Sequence, residues 1–210
     1  MVRSMKKTEL TLYAYNIRTR AERILWGLNE LNLQYKLIRL DPFKGETNTK
    51  EFLELNPSKK VPVLVHQDRV YTESLAILEY LDELSSEKNI IPTESQEKYR
   101  FRNLIYYLNS EIEPHLWIAD QCTKLKRLYH WPEGTLDEAL QRVEKSIPTV
   151  LSIVVENEFA IGPSFSIADI YAHHIITWAR SYKINIPTEV ALYLEKLESR
   201  PSFPDKMKND

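Results

Sequence analysis

The chain has 210 residues, 43% of them apolar and 28% charged, with a formal net charge of −2. That composition belongs to a globular chain large enough to bury a core without covalent staples, and the near-neutral balance provides no global attraction to nucleic acid or to an anionic membrane. A single cysteine, Cys122, excludes an intrachain disulfide, and four glycines are too few for a glycine-rich phosphate cradle.

Residues 1–7 carry charge without an apolar stretch behind them, and no apolar run approaches the ~20 residues needed to cross a bilayer. A secretory signal and a membrane span are therefore not expected, and the cytoplasm is the expected location. Leu10–Tyr15 reads as a short buried strand. Thr19 stands where it can cap the helix that follows. Over Arg20–Leu31, Ala21, Ile24, Leu25, Leu28 and Leu31 share one face. Gln34–Asp41 alternates as a second strand, so the unit is β-α-β with parallel strands. Thr49–Leu55 predicts a short helix. Val61–His66 and Arg69–Glu73 predict two strands, separated by Gln67-Asp68 at hairpin spacing. Ser74–Leu84 returns to helical spacing. The order is that of a thioredoxin-like α/β domain over residues 8–85.

The polar segment Ser85–Ser95 reads as a linker. Beyond it the pattern is helical: Gln96–Leu128, Leu136–Asn157, Ser166–Lys183 and Pro187–Glu198 predict an all-α bundle over residues 95–205. The basic run Lys124-Leu125-Lys126-Arg127 reads as a solvated helix face. Ser166 and Asp169 stand at capping-box spacing with Phe165 and Ile170 at the staple positions, which makes Asp169 a buried structural carboxylate. His173 and His174 are adjacent and point to different sides of their helix, so no metal site is expected. Cys122 reads as a packed core thiol.

Two segments carry candidate chemistry. In Asn56–Leu64, a cis bond at Val61–Pro62 would free the Val61 backbone to pair with an extended peptide; an ordinary trans proline at a strand start is the alternative. At Glu73-Ser74, a hydroxyl and backbone N–H groups at a helix start suit a carboxylate, and Glu73 suits an ammonium. There the alternative is a serine that only caps its own helix.

Asn56-Pro57, Val61-Pro62-Val63-Leu64, Glu73-Ser74-x-Ala76-Ile77-x-x-Tyr80-Leu81, the block Gly162-x-x-Phe165-Ser166-Ile167-Ala168-Asp169 and Arg200-Pro201 together resemble the cytosolic glutathione transferases over about Leu10–Phe203. The resemblance implies a cis Pro62, the Val61 backbone on the cysteinyl part of glutathione, Glu73 and Ser74 on the γ-glutamyl head, and Lys60 on the glycyl carboxylate. Lys59 stands where glycine is common. The group that activates the thiol lies at the end of the first strand or the start of the first helix in that family. In an ungapped alignment its tyrosine position falls on Ala14 and its serine position on Arg18. Thr19 and Arg18 are the leading substitutes, followed by Tyr15, for which core packing is the alternative. With no cysteine near residues 18–20, thiol–disulfide chemistry is not expected.

The implied activity is transfer of glutathione to a small apolar electrophile, or a related glutathione-dependent reduction or isomerisation, with no metal. A glutathione-binding carrier or regulator with little catalysis is the alternative, kept open by Ala14 and Arg18. The aromatic residues Tyr106, Tyr107, Trp117 and Tyr129 are candidates for the electrophile pocket or for bundle core. The resemblance further implies a homodimer.

Overall fold

A computed structural model describes residues 9–15 and 19–204. They form two compact units, one running to Asn89 and taking in the segment from Pro201 onward, the other spanning Ile90–Arg200.

The first unit is built on strands β1 (Leu10–Ala14), β2 (Tyr35–Arg39), β3 (Val63–His66) and β4 (Arg69–Tyr71), with helices α1 (Ala21–Glu30), α2 (Lys50–Leu55) and α3 (Ser74–Leu84). The sheet order is β2-β1-β3-β4. β1 and β2 are parallel; β1–β3 and β3–β4 are antiparallel. Strict alternation in β1 buries Leu10, Leu12 and Ala14 on one face. Tyr13, on the other face, meets Phe52 of α2 with ring centroids 6.0 Å apart. The β3–β4 turn puts Gln67 and Asp68 at φ 52° and 62°, the left-handed pair that matches the twist of a two-residue hairpin. α1 packs on α3 at Gly27, which lets the Leu78 side chain lie where a β-carbon would stand. The segment from Pro201 joins this unit through α1: Trp26 Nε1 donates to Ser202 Oγ at 3.2 Å, and the Trp26 ring meets Phe203 edge-on at 4.9 Å.

The second unit holds α4 (Ser95–Tyr107), α5 (Glu113–Cys122), α6 (Thr135–Val155), α7 (Ile167–Ser181) and α8 (Thr188–Glu198). The sequence pattern predicts one helix from Gln96 to Leu128, but the chain passes through a π-helical turn at Leu108–Ile112 between α4 and α5 and leaves helix after Cys122. Pro114 has no N–H for the carbonyl one turn back, and its ring crowds that carbonyl, so the ladder is interrupted there. Asp169 is fully buried. Its carboxylate accepts from the backbone N–H groups of Ser166 and Ala160, from the Ser166 hydroxyl and from Tyr193 O–H. Burial pushes this carboxyl above its usual range, against the four donors that favour the charged form. Cys122 is half-buried at the end of α5 rather than packed in the core, and loss of solvation raises its thiol. No helix among the described residues is long and apolar enough to cross a membrane.

Candidate functional site

Strand register gathers the candidate residues at one end of the sheet. Tyr13 pairs with Val63 across β1 and β3, so Val61 and Pro62 lie beyond the last pair, alongside the chain leaving β1 at Tyr15. Leu64 pairs with Tyr71 across β3 and β4, so the chain leaving β4 reaches Glu73 and Ser74 at that same end. α1 also starts there, on the residues that follow β1. Tyr15, Thr19, Val61, Pro62, Glu73 and Ser74 therefore share one edge of the first unit.

The Val61–Pro62 bond is cis. The loop before it is tied down by Asn56, whose Nδ2 donates to the Lys60 carbonyl at 2.8 Å while its Oδ1 accepts from Ser58 N–H at 3.1 Å and from Ser58 O–H at 2.8 Å. The sequence reading gave Asn56 no role of its own. Its signal was an amide side chain at the last turn of a helix, placed before a proline. Lys59 adopts φ 61°, a left-handed conformation that glycine enters without steric cost. The resemblance expects glycine at this position, and the backbone supplies the reason. Lys60 is exposed.

Glu73 occupies the N-cap of α3 at φ 65° and ψ 117°, with no side-chain capping bond. A non-glycine residue held there stores ~1–3 kcal/mol of strain, which the surrounding structure must impose. Ser74 is the first residue of α3 and is buried, 6% exposed. Its Oγ accepts from Arg23 Nη1 at 3.3 Å. The N-cap position itself thus falls to Glu73. Arg23 was missed from sequence; its signal was a cation at the edge of an apolar helix face, directly before Ile24-Leu25-Trp26.

Of the three candidate activators, Arg18 lies outside the described residues. The Thr19 hydroxyl oxygen accepts from Ala21 N–H at 3.3 Å, two residues ahead of α1, whose N-cap position is held by Arg20. A threonine hydroxyl has one proton to donate as well as lone pairs that accept. The Tyr15 ring packs edge-on to Phe43 at 6.1 Å. In the second unit, Tyr107 donates its O–H to the Ser146 carbonyl at 3.0 Å, Trp117 and Tyr129 meet edge-on at 6.2 Å, and Tyr106 is exposed. His173 Nε2 lies 3.0 Å from Glu198 Oε1, and His174 packs against Trp178. Among the described residues no group of three or more metal-ligating side chains gathers.

A thioredoxin-like sheet with a cis-proline turn and a helix start at one end, followed by a helical bundle, is the architecture that the resemblance of the sequence implies. Comparison with known proteins agrees. Residues 9–83 match the glutathione S-transferase N-terminal domain and residues 116–201 the C-terminal domain. Glutathione S-transferase F14 of Arabidopsis thaliana is 30% identical over 200 residues, covering 85% of this chain and 75% of that protein. Glutathione S-transferase 1 of Dianthus caryophyllus is 37% identical over 114 residues, covering 53% of this chain and only half of that protein's length. A glutathione transferase homolog from Sulfitobacter, solved with bound glutathione, superimposes with a TM-score of 0.76 at 22% identity, covering 93% of this chain and 95% of that one. The chain belongs to the glutathione S-transferase family.

Proposed function

We propose that the protein binds reduced glutathione at the sheet end described above and transfers it to a small apolar electrophile, or uses it in a related reduction or isomerisation. The observation that carries this reading is the pairing of Ser74, at the first position of α3, with the strained Glu73 beside the cis Val61–Pro62 turn. Ser74 and the α3 N-terminus receive the γ-glutamyl carboxylate, Glu73 the ammonium, the Val61 backbone the cysteinyl unit as an added strand, and Lys60 the glycyl carboxylate.

The chemistry required is thiol ionisation. A free thiol with pKa ~8.5 is only ~3% thiolate at pH 7; lowering that pKa by two units makes it roughly 75% thiolate and takes ~2.7 kcal/mol. One hydrogen bond to the thiolate supplies ~1.5–3 kcal/mol. Thr19 is assigned that donor, assisted by the α1 N-terminus, with Arg18 adding charge. The half-buried Trp117 and the exposed Tyr129 offer aromatic surface suited to an apolar second substrate. The enzyme works in the cytoplasm as a homodimer.

The test is a calorimetric titration with glutathione in which the ionisation of the bound thiol is followed by its absorbance between pH 6 and 8. Binding with a depressed thiol pKa is expected. Binding with an unshifted pKa replaces catalysis by the carrier reading, and no binding at millimolar glutathione overturns both.

A further inference from the structure

Arg23 lies in the first turn of α1 with 1% of its surface exposed, and it donates through Nη1 to Ser74 Oγ at 3.3 Å. We propose that Arg23 is the positioning residue that makes the Ser74 subsite selective for a carboxylate; this rests on the reading above that Ser74 holds the γ-glutamyl head. A guanidinium has five donors and no acceptor. In its contact with Arg23 the serine oxygen can only accept, so the hydroxyl proton is directed away from Arg23. A serine at a helix start without such a neighbour rotates to donate to an anion or to accept from a cation. Ser74 is biased toward the first.

The charge acts in the same sense. Arginine stays ionised at every working pH, and a buried cation is screened little by solvent. An α-amino acid head group has two orientations at this site. With its carboxylate on Ser74 the anion lies one hydrogen-bond length beyond Oγ, within the field of Arg23, while its ammonium falls to the exposed Glu73. The reverse orientation sets ammonium against guanidinium. Arg23 therefore orients the zwitterion, and with it the tripeptide that extends toward Val61.

The experiment measures calorimetric affinity for two ligands: glutathione, and 4-aminobutanoyl-cysteinylglycine, which lacks only the γ-glutamyl α-carboxylate. The wild type is expected to prefer glutathione at least ~10-fold. Arg23→Gln should reduce that preference by roughly 10-fold, and Arg23→Lys, again a cation that only donates, should restore most of it. Ser74→Ala should reduce the preference too, and adding Arg23→Gln to it should reduce it little further, because the two act through one bond. A purely structural arginine would weaken both ligands together and leave their ratio intact. An unchanged ratio in Arg23→Gln overturns the proposal, as does loss of the ratio in a folded Arg23→Lys, which decides alone if the glutamine variant does not fold. Wild type that binds neither ligand removes the glutathione site itself; wild type that discriminates while the variants do not differ removes only the role of Arg23.

Discussion

Thr19 is the residue on which catalysis turns in the reading above. Its oxygen accepts from Ala21 N–H, and Thr19→Val, similar in volume, removes the hydroxyl while the helix start keeps its backbone groups. The pKa of bound glutathione should rise by about one to two units, with affinity for the thiol form changed little. Titration of the bound thiol in wild type and variant measures this, and an unmoved pKa would pass the role to Arg18 or Tyr15. Lys59 tests the backbone. An L-residue in the left-handed region costs ~1–2 kcal/mol, and glycine loses ~0.5–1 kcal/mol of chain entropy on folding. Lys59→Gly should therefore stabilise the protein by about 0.5–1 kcal/mol, read as a higher urea midpoint at constant slope. A lower midpoint would mean that the lysine side chain contributes more than its backbone costs.

At the scale of elements, the α1–α3 contact is held to a minimum distance by Gly27. A β-carbon there would stand 2.3 Å from Leu78 Cδ2, and Leu78 is fully buried. Overpacking costs ~1–3 kcal/mol and alanine regains ~1 kcal/mol of helix propensity, so Gly27→Ala should destabilise by up to ~2 kcal/mol. Adding Leu78→Ala, which opens the space, should cost less than the sum of the two single changes in a denaturation cycle; strict additivity would show that the two sites do not meet. The contact also shows where sequence reading works and where it stops. Period-2 and period-3.6 patterns locate β1, α1 and α3 within a residue or two, because each element buries one face. They run α4 and α5 into one helix, since the apolar period continues through Pro114 and only the missing N–H breaks the ladder. They place Glu73 and Ser74 at a helix start but do not reveal Arg23 beneath them, 51 residues away in sequence, since that pairing arises from α1 lying against α3. The left-handed backbone of Lys59 was legible only as a departure from an expected glycine.

For the whole molecule, the homodimer is the proposal that most needs a physical cause, because the chain's net charge of −2 neither drives nor forbids self-association. α4 supplies a candidate surface. Tyr99 and Tyr106 are 69% and 64% exposed, and at a spacing of seven they stand two turns apart on one face. Two large aromatic side chains left in water on one helix are unusual in a monomer and common at the centre of interfaces, where tyrosine combines apolar area with a polar tip. A two-fold interface repeats each contact, so one substitution acts twice. Tyr99→Glu with Tyr106→Glu would bring four like charges into such an interface and cost the fold itself little, because both side chains face solvent in the single chain. Light scattering should give the wild type a mass twice that of the chain and the double variant a monomer, with a cooperative thermal transition in circular dichroism retained. A wild type that remains monomeric at every concentration tested ends the dimer proposal. A variant that remains dimeric moves the interface off this face of α4.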